Sequence, residues 1–178
     1  MTNEELTSLT AMAKQCEMNK ENKDLQKTFR DSLAKLPKKD QDYFITKFRD
    51  ESIAVWGQAP QNHTGYGVAR DVYSSILTDR LVDAFMVKIS LIQNGQGSSD
   101  QAISIDKAVL DKMTGLPEDI FKSVSSSISQ YTVPTTNQGE PLTTSAQNKI
   151  STGLKYLNDA LVKATSERTK STDGMENQ

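Results

Sequence analysis

The stretch Val68–Asn94, VARDVYSSILTDRLVDAFMVKISLIQN, decides the fold class. Val72, Ile76, Leu81, Phe85, Ile89 and Ile92 mark one stripe of a 3.6-residue helix, and Leu77, Val82, Met86 and Leu91 mark a second beside it. At 1.5 Å per residue this is roughly 40 Å of helix. A helix apolar over so wide an arc is either the central member of a bundle or half covered by a partner chain. Nothing in the chain alternates with period two over a useful length, and no internal repeat stands out. The expected fold is all-α, an elongated multi-helix bundle of six or seven helices around this long central one.

Upstream, Thr2 followed by Glu5 forms a capping-box pattern. Leu6, Leu9, Ala13 and Cys16 then lie on one helical face, and Leu25, Phe29, Leu33 and Leu36 on the next, stopped by Pro37. A third helix begins near Asp40 with Phe44 and Phe48. Its end, Ile53–Trp56, reads equally well as helix or short strand before Gly57 and Pro60.

Downstream, NGQGSSDQ (94–101) has linker composition. Ser104–Met113 reads as a short helix with Gly115 in the position a left-handed cap favours. Pro117, Glu118 and Asp119 suit the first turn of another, although its serines lower helix propensity. Residues 132–145 read as a loop. Ile150, Leu154, Leu157, Leu161 and Ala164 step by four and three, a coiled-coil-like seam of about two heptads. The expected organisation is a helical region at 1–94, a linker at 95–103, a smaller helical region at 104–165 and a disordered polar tail at 166–178.

Composition narrows the function. Lys and Arg number 21 against 23 Asp and Glu, with the signs interspersed, which disfavours nucleic acid as a partner. The single cysteine, Cys16, permits no internal disulfide, and its place on an apolar stripe reads as a buried thiol. The absence of a signal-like start or a long apolar run predicts a cytoplasmic protein without an integral membrane segment. Asn62-His63-Thr64 matches a glycosylation acceptor, which that location leaves unused.

Catalytic patterns are missing. His63 is the only histidine, no G-x-S-x-G elbow surrounds a serine, and no clustered spacing suits a metal. Gly57, Gly65 and Gly67 match neither a dinucleotide fingerprint nor a phosphate loop. The expectation is a protein that is not an enzyme and needs no cofactor or metal. In GQAPQNHTGYG (57–67), Gly57, Pro60, Gly65 and Gly67 read as turn or hinge residues. His63 reads either as an exposed loop side chain or as a protonation switch. The wide apolar arc and the heptad seam lean toward association through Phe85, Ile89, Ile92, Ile150, Leu154, Leu157 and Leu161.

One segment resembles a known family. VWGQAPQNHTG (55–65) carries Val55, Gly57, Ala59, Pro60 and Gly65 in the order and spacing found in refractile-body (R-body) structural proteins. Tyr73 follows, and then Ala84, Phe85, Ile89, Ser90 and Gln93, similar to that family's helix end. The chain departs from the pattern in its length, in the extra residues between Gly65 and Tyr73, and in the charges at Arg70, Asp79 and Arg80. The resemblance implies helical subunits that polymerise into a ribbon whose form changes with pH, with His63, Asp71, Asp79 and Asp83 as candidate proton responders. Two functions follow as expectations. The first is a non-enzymatic self-associating structural protein, a homo-oligomer or polymer. The alternative is a monomeric adaptor or chaperone-like module that binds another protein's helix in a groove.

Overall fold

The computed structural model describes residues 1–57 and 64–176. Among them the chain forms seven α-helices and one minimal ribbon: α1 Asn3–Met18, α2 Lys23–Ala34, α3 Lys38–Trp56, α4 Tyr66–Gln93, α5 Asp100–Thr114, α6 Glu118–Ser129, β1 Thr136–Asn137, β2 Glu140–Pro141 and α7 Thr144–Glu176. The class is all-α, as the periodicity predicts. The residues that read as helix or strand before Gly57 continue α3 to Trp56.

The chain divides into two compact units, Met1–Ile76 and Leu77–Gln178. The expected boundary at 95–103 therefore lies too late, because α4 serves both units. Its aromatic start, Tyr66 and Tyr73, completes the core of the first; Phe85 and Ile89 belong to the second. The true connection before α5 is also shorter than the expected linker. Ser99 caps α5 by accepting from the Ala102 amide at 3.3 Å, so the helix starts at Asp100.

In the first unit the capping box is complete: the Glu5 amide donates to Thr2 Oγ1 at 3.1 Å and the Thr2 amide to Glu5 Oε2 at 2.9 Å. Leu9, Ala13 and Cys16 of α1 are buried, together with Phe29 and Leu33 of α2 and Phe44, Ile45 and Phe48 of α3. A run of rings joins the helices, with centroids 6.3 Å apart for Phe29–Phe44 and 5.8 Å for both Phe44–Phe48 and Phe48–Tyr66. Each such side chain contributes about 1.5–3 kcal/mol by leaving water. Tyr73 keeps its hydroxyl satisfied by donating to Asp42 Oδ1 at 2.6 Å.

A shared corner appears once in each unit. α2 and α5 both run into a Leu-Pro pair, Leu36-Pro37 and Leu116-Pro117, and the prolines start α3 and α6 at nearly equal backbone angles, −54°/149° and −56°/151°. A proline has no amide hydrogen to offer the preceding turn, and the residue before it is pushed out of helical geometry. The last carbonyls of the first helix thus lose their regular backbone donors, although that of Leu33 still takes the Leu36 amide at 3.2 Å. In the first unit the Gln41 side-chain amide collects those of Leu33, Ala34 and Leu36, at 3.2, 3.3 and 3.2 Å. In the second, Arg168 Nη1 reaches those of Met113, Thr114 and Leu116, at 3.1, 3.0 and 2.7 Å. These are the same three positions relative to the proline, closed by different side chains.

Two expectations near this corner are corrected. Gly115 is right-handed (φ −86°), not the left-handed cap its position favours; its amide still donates to the Asp111 carbonyl at 3.0 Å, and Arg168 takes the Met113 and Thr114 carbonyls that follow. Residues 166–176 continue α7 rather than forming a disordered tail. Their polar composition hides an anchor: Arg168 Nη2 pairs with Glu118 at 2.9 Å, and the guanidinium lies 4.3 Å from the centre of the Phe121 ring. With this extension α7, at 33 residues, exceeds the 28 of α4.

Candidate functional site

The residues singled out for association fall mainly inside the second unit. Phe85, Ile89, Ile150 and Leu157 are buried by the chain itself, Leu154 and Leu161 are half-buried, and Ile92 alone of the seven is exposed. The heptad seam is an internal packing stripe. α7 lays it against its own neighbours, with Tyr156 5.9 Å from Phe85 and the Lys149 ammonium donating to Ser90 Oγ at 2.6 Å.

The turn residues are partly described. Gly57 ends α3 in the left-handed conformation at φ 76°. Gly65, at φ 81°, lies so close to α1 that a Cβ there would stand 2.6 Å from the Lys14 amide nitrogen and 2.7 Å from the Ala13 carbonyl carbon. Gly67 is buried in the first turn of α4. Pro60 and His63 lie outside the described residues, as does Asn62.

The proposed proton responders do not gather at one site. Asp71 is exposed and held by Arg70 Nε at 3.1 Å in the first unit. Asp79 and Asp83 lie one turn apart on α4 in the second. Their negative charges reach Tyr131, whose hydroxyl is pushed above its ordinary value first by burial and then by those two carboxylates. Burial also pushes the Cys16 thiol up, which keeps it protonated and unreactive.

The sequence reading missed a feature with the form of a docking site. A groove of about 500 Å³ opens in the second unit between α4, α5 and α7. Phe85, Leu110, Tyr156 and Ala160 form its apolar surface, and Ile103, 59 % exposed, stands at its lip. Lys88 crosses one side, bonded to both oxygens of Asp106 at 2.7 and 2.8 Å and lying 5.2 Å over the Tyr156 ring. Lys107, Asp159 and Lys163 complete the polar rim, with Lys107 held by Asp111 at 2.6 Å. A signal was present in α5, where Ile103 and Leu110 are seven residues apart and so share a face other than the buried one of Val109 and Met113. Chemically the groove offers an apolar bed for a few side chains between charged lips.

Among the described residues no group of three or more His, Cys, Asp or Glu is placed to hold a metal ion. No helix among them is long and apolar enough to cross a membrane. No family model, curated protein or solved structure matches the chain.

Proposed function

We propose that the chain is a non-catalytic protein-binding module whose second unit takes the apolar face of a helix in the α4–α5–α7 groove. The observation that carries this reading is an open apolar bed with a large aliphatic side chain, Ile103, left in water at its lip. Ala160→Trp fills the groove from α7 with little demand on the core. Partners captured by the wild type, then purified and titrated calorimetrically, should bind in the micromolar range or tighter and lose at least tenfold with Ala160→Trp. Equal affinity of every such partner for the two proteins would refute the groove.

A second reading, self-association, is favoured by the mixed signs on the rim. Lys107 and Lys163 stand with Asp106 and Asp159, so a second copy would meet opposite charges whichever lip it faced. The resemblance to R-body proteins implies the same class of behaviour. Light scattering with negative-stain electron microscopy at pH 7 and pH 5 separates the readings: ribbons or oligomers lost in Ala160→Trp support self-association, and monomers at both values exclude it.

A further inference from the structure

We propose that α7 is an exchangeable arm, released from its own second unit and taken up in the same place by a second copy of the chain. This inference stands apart from the groove reading, since an exchanged α7 rebuilds the same groove from two chains. Three observations carry it.

First, the arm is a single C-terminal helix whose seam, Ile150, Leu157 and Ala164, is buried against the rest of its unit. Every contact it makes can be remade in trans. Second, past Ala164 the described side chains hold it by one polar clamp, Arg168, since Thr165, Ser166, Glu167, Thr169 and Lys170 are all exposed.

Third, the connection from α6 has the form of a hinge. From Thr132 to Thr143 only Val133 and Leu142 are even partly covered. It is folded back by a ladder of two residue pairs, Thr136 with Pro141 and Asn137 with Glu140, and by the Leu142 amide bonded to the Thr135 carbonyl at 2.8 Å. The tight turn needs two left-handed residues, Gln138 at φ 53° and Gly139 at φ 84°. Straightened, about twelve residues span up to ~40 Å, enough to carry α7 to a neighbouring molecule.

The two forms differ only at the hinge, and that makes the proposal testable. Gly139→Val strains the turn of the closed monomer but not an extended hinge. Two hinges straighten per dimer, so at about 1 kcal/mol each the dimerisation constant should rise roughly 30-fold. Arg168→Ala removes a clamp present in both forms, and should speed exchange without shifting the ratio.

The experiment refolds wild type, Gly139→Val and Arg168→Ala from guanidinium at low and at near-millimolar concentration and measures mass by light scattering, with helicity by circular dichroism. The expected result is a fully helical dimer, enriched in Gly139→Val, that survives dilution for hours and reverts to monomer after unfolding at low concentration. Monomers in all three proteins overturn the proposal. So does a dimer that dissociates at once on dilution, which would be face-to-face association of the groove kind, and so does an Arg168→Ala dimer share raised as much as that of Gly139→Val.

Discussion

Replacing Arg168 tests whether one side chain holds the end of α7. Its Nη1 carries two hydrogens shared among the carbonyls of Met113, Thr114 and Leu116, so the three contacts count as about two charge-assisted bonds. Hydrogen bonds to charged groups contribute about 1.5–3 kcal/mol each, and water entering the vacated corner returns part of that. The pair with Glu118, whose side chain is 65 % exposed, adds less than about 1 kcal/mol, and stacking on Phe121 adds a similar amount. Arg168→Ala should therefore destabilise the second unit by about 3 kcal/mol, read in urea by circular dichroism, and lower its Tm by about 12 °C or more. Arg168→Lys keeps the charge but not the planar fork and should fall about midway. Glu118→Ala should stay within about 1 kcal/mol of wild type. An Arg168→Ala protein as stable as Glu118→Ala would refute the clamp.

Three further outcomes follow from the geometry. Gly65→Ala combines a left-handed backbone with a clash against the backbone of α1 and should cost about 3 kcal/mol or more in a thermal melt, whereas Gly57→Ala, equally left-handed but open, should cost about 1 kcal/mol. Similar losses for the two would remove the close approach of Gly65 to α1. Tyr131 should titrate above a free tyrosine in absorbance at 295 nm, and Asp79→Asn with Asp83→Asn should bring its midpoint down by removing the negative charge that disfavours the phenolate; no movement would mean that burial alone raises it. Cys16 should react with a thiol reagent at pH 8 at least tenfold more slowly in the native protein than in urea, because burial both shields the sulfur and lowers its thiolate fraction.

Local rules made part of this fold legible. Thr2 with Glu5 names the start of α1, Gly57 names the end of α3, and the paired stripes of Val68–Asn94 name a helix buried on more than one side, because each signal concerns groups within a few turns. One misreading comes from a partner far away in the chain. The polar residues after Ala164 read as a tail from their neighbours alone, while Arg168 among them meets carbonyls more than fifty residues earlier. The ribbon around Gln138-Gly139 has strands of two residues, too short for alternation to show. The groove needs three helices in register, and only Ile103 and Leu110, off the buried face of α5, hinted at it. The seam of α7 was visible as a seam, but periodicity is the same whether the facing surface is one's own or another chain's.

The two proline corners also set an order of events as the chain leaves the ribosome. Gln41 follows Pro37 by four residues, so the first corner has its donor almost as soon as it is made. Arg168 follows Pro117 by fifty-one, and at about 5–20 residues per second that is a wait of roughly 3–10 s. During it, the end of α5 has bare carbonyls and Phe121 lacks its cation. The N-terminal unit can thus be finished while the C-terminal one is still unclosed, and that interval, rather than the mature protein, is when the nascent chain is most open to chaperones, proteases and other copies of itself.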